Sequence, residues 1–373
     1  MRSRTLAVLA ASTGLALAVT ACGANSSNSG SGGSSSSNSA GNGAKVGVIL
    51  PETTTSARWE GFDHPLLEKK LKDQGFDPII QNAQGDDQKV SQLADSMLSQ
   101  GVKVLILAST TGDVGAAVEK KAAAAGVPVI DYDRLNAGGS ADYYVSFDNV
   151  KVGTLQGQAL ADSLKGKQGA QVIEIEGAAT DNNALLFYQG QQQVLKPLYD
   201  AGTLKLVKSQ YTDKWDNQTG GTNFENFLTA NGGKVDGVLA ANDGLAGAVI
   251  AVLKKNGLNG KVPVTGQDAT ADGLKAILRG DQYMTVFKPI EQEADAAAKL
   301  ATALLKNSKS DADKIATQKV TDPKTKREVS SLLLDPQSIT KDKVKDVISA
   351  GAVAKADVCT GDVAPLCAAA GIN

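Results

Sequence analysis

The sequence predicts an α/β protein of two similar lobes, each a parallel sheet flanked by helices. Short apolar runs alternate with amphipathic segments of helix length, the pattern of parallel strands joined by right-handed crossovers. The rhythm runs from residue 45 to 147 and restarts at 150, which implies two successive units of one architecture. Four apolar runs end in polar or charged residues: Val127-Pro-Val-Ile-Asp-Tyr-Asp-Arg134, Val235-Asp-Gly-Val-Leu-Ala-Ala-Asn-Asp243, Val262-Pro-Val-Thr-Gly-Gln-Asp268 and Met284-Thr-Val-Phe-Lys288. In open α/β sheets ligands bind beyond the carboxyl ends of the strands. The four ends are therefore expected to converge on one small polar ligand.

In the first lobe, 45–50 reads as the opening strand. Arg58 and Trp59 start a helix toward Gly75, with a kink or break expected at Pro65, which has no backbone donor. Strands follow at 78–82, 103–107, the run from Val127 and 143–147, with helices at 87–100 and 113–125 between them. Asp86-Asp87 suits a helix cap. The second lobe reads as helix 150–164, strand 171–176, helix 183–199, strand 204–211 and helix 217–230. Strand 235–240, helix 244–256, strand 262–266 and a short helix 270–280 complete it. The end breaks the rhythm: a long amphipathic helix at 289–306, a late strand at 330–334 and a helical stretch at 340–349.

The chain has 373 residues, 42% of them hydrophobic, enough for two lobes with real cores. Residues 1–21 have the basic start, apolar middle and small-residue end of a secretory signal. Cys22 after Val19-Thr-Ala resembles a lipobox cysteine, so it is expected to be the lipidated first residue. Residues 22–43 are then the lipidated cysteine and a tether of Ser, Gly and Asn that cannot bury a core. Cleavage removes Arg2 and Arg4, leaving 36 of the 38 basic residues against 40 acidic ones and a net charge of −4. A weakly acidic chain without a basic cluster gives no support to nucleic-acid binding. In an exported protein Cys359 and Cys367 are expected to pair and close a short loop. A redox or metal pair is the alternative, without His or Cys neighbours to support it.

Much catalytic chemistry is missing. The one histidine, His64, sits inside the first helix, so no Ser-His-Asp or Cys-His set can form. No Gly-rich phosphate loop follows the first strand, where Pro51-Glu52 stands instead. No His/Cys grouping has zinc spacing, and no metal or cofactor is expected. Glu174 and Glu176, two apart on a strand, share a face and could serve a glycosidase. The plainer reading is a polar strand edge with Glu176 facing solvent. Nothing demands an enzyme.

The chemistry that is present suits a pyranose, a ring of hydroxyls with apolar C–H faces. Recognising one takes planar polar side chains that bond adjacent hydroxyls, together with aromatic walls. Strand ends and first helical turns supply Arg58, Asp133, Arg134, Asp181, Asn183, Asn242, Asp268 and Lys288, and the two tryptophans are Trp59 and Trp215. Each has a plainer alternative: Asp181 or Asn182 as the cap of the helix near 183, Asn242 or Asp243 as the cap of the next, Trp59 as core, Lys288 as a solvated end. Eight polar groups at matching strand ends make coincidence a poor account.

At these residues the chain resembles the type I periplasmic sugar-binding proteins, and within them the D-xylose-binding group, over residues 45–350. The marks are Arg58-Trp59, Tyr132-Asp-Arg134, Ser146-Phe-Asp-Asn149, Asp181-Asn-Asn183, Ala241-Asn-Asp243, Gly266-Gln-Asp-Ala269 and Met284-Thr-Val-Phe-Lys-Pro289. The segment 53–57 lacks the charges expected before Arg58, and 61–65 alters the first helix.

The resemblance implies two Rossmann-like lobes joined by a three-crossing hinge near 147–150, 286–289 and 331–336. It implies an N-terminal lobe of 44–148 completed by 289–330, and a C-terminal lobe of 149–288 completed by 331–373. Arg58, Asp133 and Arg134 would bond the sugar from the first lobe, and Asp181, Asn183, Asn242 and Asp268 from the second. Lys288 would act at a crossing, with Trp59 and Trp215 packed on the ring. The implied protein is a monomeric, lipid-anchored receptor on the outer face of the cytoplasmic membrane. It would hand a monosaccharide, D-xylose foremost, to an ABC permease. Glucose, another aldose or a xylo-oligosaccharide is the alternative ligand, and sensing without transport the alternative role. A surface glycosidase and a sugar-responsive transcription regulator are more remote, the latter opposed by the export signal.

Overall fold

The computed structural model describes residues 42–372. The expected signal, Cys22 and all but the last two residues of the tether lie outside them.

The first lobe is built on one seven-stranded sheet, ordered Gln318–Thr321 (β10), Glu328–Leu334 (β11), Tyr143–Phe147 (β5), Val129–Tyr132 (β4), Val104–Leu107 (β3), Lys45–Leu50 (β1) and Asp77–Asn82 (β2). Its opening strand β1 (Lys45–Leu50) pairs in parallel with β2 (Asp77–Asn82) and β3 (Val104–Leu107), and β4 (Val129–Tyr132) and β5 (Tyr143–Phe147) extend it. Side chains alternate across the strands. Val46, Val48 and Leu50 face α1 (His64–Asp73) and α9 (Ile290–Leu305), while Ile49 faces α2 (Asp87–Ser99) and α3 (Gly112–Ala124). A Cβ at Gly47 would lie 2.9 Å from the sulfur of Met97, so glycine lets α2 approach β1. Asp86 caps α2 as expected, accepting from the Gln88 and Lys89 amides.

The first helix changes character at Pro65 as expected: a π-helical turn, Trp59–Asp63, gives way to α1, whose second residue is Pro65.

The second lobe holds α4 (Asn149–Ser163), β6 (Ala170–Glu176), α5 (Asn182–Asp200), β7 (Leu204–Tyr211), α6 (Asn217–Ala230), β8 (Gly237–Ala240), α7 (Asp243–Lys255) and α8 (Ala271–Arg279). Its parallel sheet has the order β7-β6-β8. The strand expected at 262–266 reduces to one parallel bridge, Val264 to Val238. The Thr265 hydroxyl explains this: it accepts from the Ala240 amide at 2.9 Å and donates to the Ala240 carbonyl at 3.0 Å, taking the place of ladder bonds. α4 and α5 meet backbone to backbone. A Cβ on Gly153 would lie 1.9 Å from the Phe187 carbonyl oxygen, and one on Gly190 2.0 Å from that of Val150.

Three crossings join the lobes. The first leads from β5 into α4. The second runs from β9 (Thr285–Phe287) through Lys288-Pro289 into α9. The third runs from β11 (Glu328–Leu334) through Asp335-Pro336 into β12 (Gln337–Ile339), which pairs antiparallel with β9. β11 stays parallel to β5 as far as Leu334 opposite Phe147, so 331–334 are paired into the sheet of β1 to β5. Pro336, which cannot donate to a ladder, follows the departure from that sheet.

The stretch 307–329 carries no apolar period, yet it forms α10 (Lys309–Ile315) and β10 (Gln318–Thr321), an antiparallel edge on β11. At the end, α11 (Val344–Ser349), α12 (Lys355–Val358) and α13 (Ala364–Ala369) share a core with α8, to which they bring Val344, Val347, Val358 and Cys367. The expected disulfide between Cys359 and Cys367 is present there.

Candidate functional site

The site begins with Arg58, buried beside the π-helical turn. Its guanidinium reaches Asp63 through Nε (2.8 Å) and Nη2 (2.7 Å), Asp133 through Nη1 (2.5 Å), and Glu293 of α9 through Nη2 (3.0 Å). The Tyr132 hydroxyl donates to Asp63 at 2.8 Å. One cation thus faces three buried carboxyl groups. Burial pushes the Asp133 carboxyl up, but Arg58, Lys288 and Arg134 outweigh it and hold the group at about 2. Burial and the Asp133 charge push Glu293 well above the usual carboxylate range. Of the three, Asp133 alone is held below the usual carboxylate range.

Asp133 lies at the end of β4 with φ of 60°, a left-handed conformation that non-glycine residues rarely hold. The turn aims its carboxylate at Arg58, while its carbonyl accepts from the hydroxyl of Ser146 at 2.7 Å. Asn183 on α5 donates Nδ2 to the Asp133 carbonyl at 2.8 Å and to Oδ1 at 3.2 Å, so first- and second-lobe residues bond directly. Asn149, the first residue of α4, holds the Asn183 Oδ1 at 2.9 Å.

Asp181 caps α5 and also faces the cavity. Its Oδ1 accepts from the Asn183 amide at 2.9 Å and its Oδ2 from the Trp215 indole at 3.1 Å. The Nε of Arg134 stands 2.9 Å from Oδ2, an ion pair without hydrogen-bond alignment. Trp215 has φ of 58°, and its ring leaves no room for a Cβ on Gly177, which would lie 2.2 Å away. The ring meets Phe187 edge-on, with centroids 6.3 Å apart. Trp59 carries the guanidinium of Arg58 at 4.5 Å and that of Arg134 at 5.2 Å from its ring centroid.

Asn242 likewise caps α7, accepting from the Leu245 amide at 2.9 Å. Asp268 follows the short Val264 bridge with φ of 93°. Its carboxylate meets the Lys288 ammonium at 3.0 Å, and that ammonium stands 3.7 Å from Asp133. Asp133, Trp215 and Asp268 are thus all in left-handed backbone around one point, the clustering of local strain expected at a functional site.

All ten residues expected at the site line one cavity of about 30 Å³, walled by both lobes and the second crossing. Three cations and three carboxylates alternate around it in the pairs Arg58–Asp133, Arg134–Asp181 and Lys288–Asp268. Asp181 and Asn242 do cap their helices, and both also line the cavity. Among the described residues no group of three or more His, Cys, Asp or Glu could hold a metal ion.

The same cavity is lined by Glu52, Ser56, Phe187 and Gln267, which the sequence reading did not select. Glu52 accepts from the amides of Thr54, Thr55 and Ser56 at 2.7–3.0 Å and so shapes the loop ahead of Arg58. No spacing announces that. Phe187 could have been found one helical turn after Asn183, and Gln267 beside Asp268.

Glu174 and Glu176 lie elsewhere. Both are fully buried, contrary to the expected solvent-facing Glu176. α5 covers them: Gln192 and Tyr199 donate to Glu174 at 3.1 and 2.8 Å. Burial, reinforced by the Glu174 charge, raises Glu176 well above the usual carboxylate range. Neither lines the cavity.

The family described as periplasmic binding protein domain matches residues 46–309. This chain belongs to the periplasmic binding protein family. Its lobes, flanked parallel sheets and hinge are the type I form of that fold. This periplasmic binding protein is 38% identical over 304 residues to the D-xylose-binding periplasmic protein of Escherichia coli, covering 82% of this chain and 89% of that one. It is 36% identical over 334 residues to the multiple sugar-binding periplasmic receptor ChvE of Rhizobium radiobacter, covering 84% and 91%. Among solved structures, an ABC transporter solute-binding protein from Clostridium phytofermentans with bound β-D-glucose superposes with a TM-score of 0.77 at 30% identity. That match covers 84% of this chain and 99% of the other. A carbohydrate transporter solute-binding protein from Chloroflexus aurantiacus in complex with D-glucose gives 0.76 at 32% identity, covering 84% and 97%.

Proposed function

We propose that this periplasmic binding protein is the extracytoplasmic receptor of a sugar ABC importer. It binds a monosaccharide, D-xylose foremost, between its two lobes. The observation that carries the reading is the single cavity walled by planar charged and amide side chains from both lobes, with Trp59 and Trp215 beside them. A ligand touching both walls stabilises the closed arrangement by its differential affinity, and a permease can read that arrangement. D-xylose is favoured by the 38% and 36% identity to two D-xylose-binding periplasmic proteins. D-glucose is the second reading, favoured by the two structural relatives that hold it at 30% and 32% identity.

In this reading the first lobe spans 44–148 and 289–334, and the second spans 149–288 and 335–372. The protein acts as a monomer without catalysis, held to the outer face of the cytoplasmic membrane by a lipid on Cys22. Burial of Glu174 and Glu176 away from the cavity speaks against a glycosidase.

Titration calorimetry of the mature protein with D-xylose, D-glucose, D-ribose and xylobiose tests the proposal. Tight 1:1 binding of xylose with glucose at least about a hundredfold weaker, some 2.7 kcal/mol, supports the narrow reading. Comparable glucose binding transfers the assignment to a broader aldose receptor. No heat with any of the four overturns it.

A further inference from the structure

We propose that Gln267 is a further ligand-binding residue, its carboxamide oxygen accepting a hydrogen bond from one hydroxyl of the bound sugar; this rests on the receptor reading above. Gln267 is 2% exposed and lines the cavity next to Asp268. Its Nε2 donates to the Ala241 carbonyl at 3.2 Å, and among the described residues no donor bonds its Oε1.

A chain of amides fixes which end of the carboxamide is which. Gln191 donates Nε2 to the Gln156 Oε1 at 3.0 Å, so Gln156 must present its own Nε2 to the Ala241 carbonyl at 3.0 Å and to the Gly266 carbonyl at 3.1 Å. The Ala241 oxygen thus takes two donors, and turning Gln267 over would set two oxygens against each other.

The backbone is pinned too. The Gln267 carbonyl accepts from the Asp243 amide at 3.0 Å. A Cβ on Gly266 would lie 2.2 Å from Asp243 Oδ1, so the preceding position is held to glycine. Asp268 and Ala269 follow in left-handed conformations, at φ of 93° and 49°.

The chemistry of the neighbours says what this oxygen takes. Asp133, Asp181 and Asp268 each face a cation, and Asn242 spends its oxygen on the Leu245 amide. Gln267 Oε1 is a neutral acceptor with no such claim on it. A buried amide oxygen without a donor is costly, and a hydroxyl group satisfies it without adding charge. The residue therefore selects for a hydroxyl at one ring position and against a deoxy, fluoro or methoxy group there.

The test is a cycle between side chain and sugar. Wild-type protein and Gln267→Met are titrated with whichever of the four sugars binds tightest and with each of its monodeoxy analogues. Melting curves confirm the fold, and Gln267→Leu replaces Met where Met is not tolerated. The variant is expected to lose about tenfold in affinity for the parent sugar, and to lose nothing further for the one analogue that lacks the partner hydroxyl. Unchanged affinity for the parent, or an equal loss for every analogue, overturns the proposal. A co-crystal checks the same point without mutation: a sugar hydroxyl within about 3.2 Å of Oε1 supports it, and none within about 4 Å overturns it. Should the wild-type protein bind no sugar, the receptor reading falls and this inference with it.

Discussion

Arg134 and Asp181 bring a guanidinium and a carboxylate to within 2.9 Å across the cleft, one from each lobe. Each is held independently: Arg134 also donates to the Ser109 carbonyl at 3.0 Å, and Asp181 caps α5 while taking the Trp215 indole. Arg134→Ala and Asp268→Ala are each expected to lower sugar affinity at least about tenfold, 1.4 kcal/mol, with unchanged circular dichroism. Calorimetry showing wild-type affinity in both would remove them from the site.

Arg58 is a different case, because its cation holds together groups that cannot stand alone. Arg58→Met leaves Asp63, Asp133 and Glu293 facing one another out of water. Breaking a buried charge set in this way costs about 3–5 kcal/mol. A urea midpoint within experimental error of wild type would show that the network relaxes without its cation.

The buried carboxyls also give stability a pH dependence. Burial raises Asp243 from an ordinary value of 3.8 to about 7, against the pull of its bond from Gln282. Between those values the native state keeps a proton that the unfolded chain has lost, so stability falls as pH rises through that window. Burial raises Asp131, Glu176 and Glu293 in the same direction. Asp133, held at about 2, works oppositely: its contribution is complete above about 4 and is lost as pH falls toward 2. The urea midpoint is expected to be higher at pH 5 than at pH 8, and Asp243→Asn to narrow the gap. A midpoint that rises over that interval contradicts this assignment.

The contact between α4 and α5 makes Gly153 intolerant. An alanine methyl there would meet the Phe187 carbonyl at 1.9 Å, and separating the helices costs about 1–3 kcal/mol or more. Because α5 carries Asn183 and is capped by Asp181, affinity should fall with stability. Gly247, with nothing near its would-be Cβ, is the control: Gly247→Ala should stabilise by about 0.5–1 kcal/mol. Equal thermal shifts in the two variants would show that the close approach is not what matters.

Anchoring is tested on whole cells. Cys22→Ala should release the protein into the surrounding fluid, and continued membrane association would argue for another form of attachment.

The main rhythm of the fold was legible because each parallel strand is a short run of buried apolar residues. Every residue of 143–147 is inside, for example. What escaped was written in other terms. β10 and β12 are short, polar edge strands paired antiparallel, and the Thr265 hydroxyl replaces ladder bonds in a run that otherwise reads as a strand. Selecting the ten site residues by charge, amide and indole at strand ends and caps found groups that share one cavity. The same rule passed over Glu52, whose role lies in backbone amides, and Gln267, whose role is set by a chain of other amides. For Glu174 and Glu176 the shared face was readable, but not that α5 covers it.

Lys288 stands one residue before Pro289 on the second crossing, between carboxylates of the two lobes. When two bodies swing about a hinge, points near the axis travel least and points at the lips travel furthest. In the receptor reading proposed above, opening about this hinge is expected to move Lys288 less than Arg134 and Asp181, which part. A sugar entering the opened cleft is then expected to meet Lys288 and the wall beside it before the far wall arrives. Distance from the axis would set the order of contacts, with Lys288 among the first and the Arg134–Asp181 pair among the last.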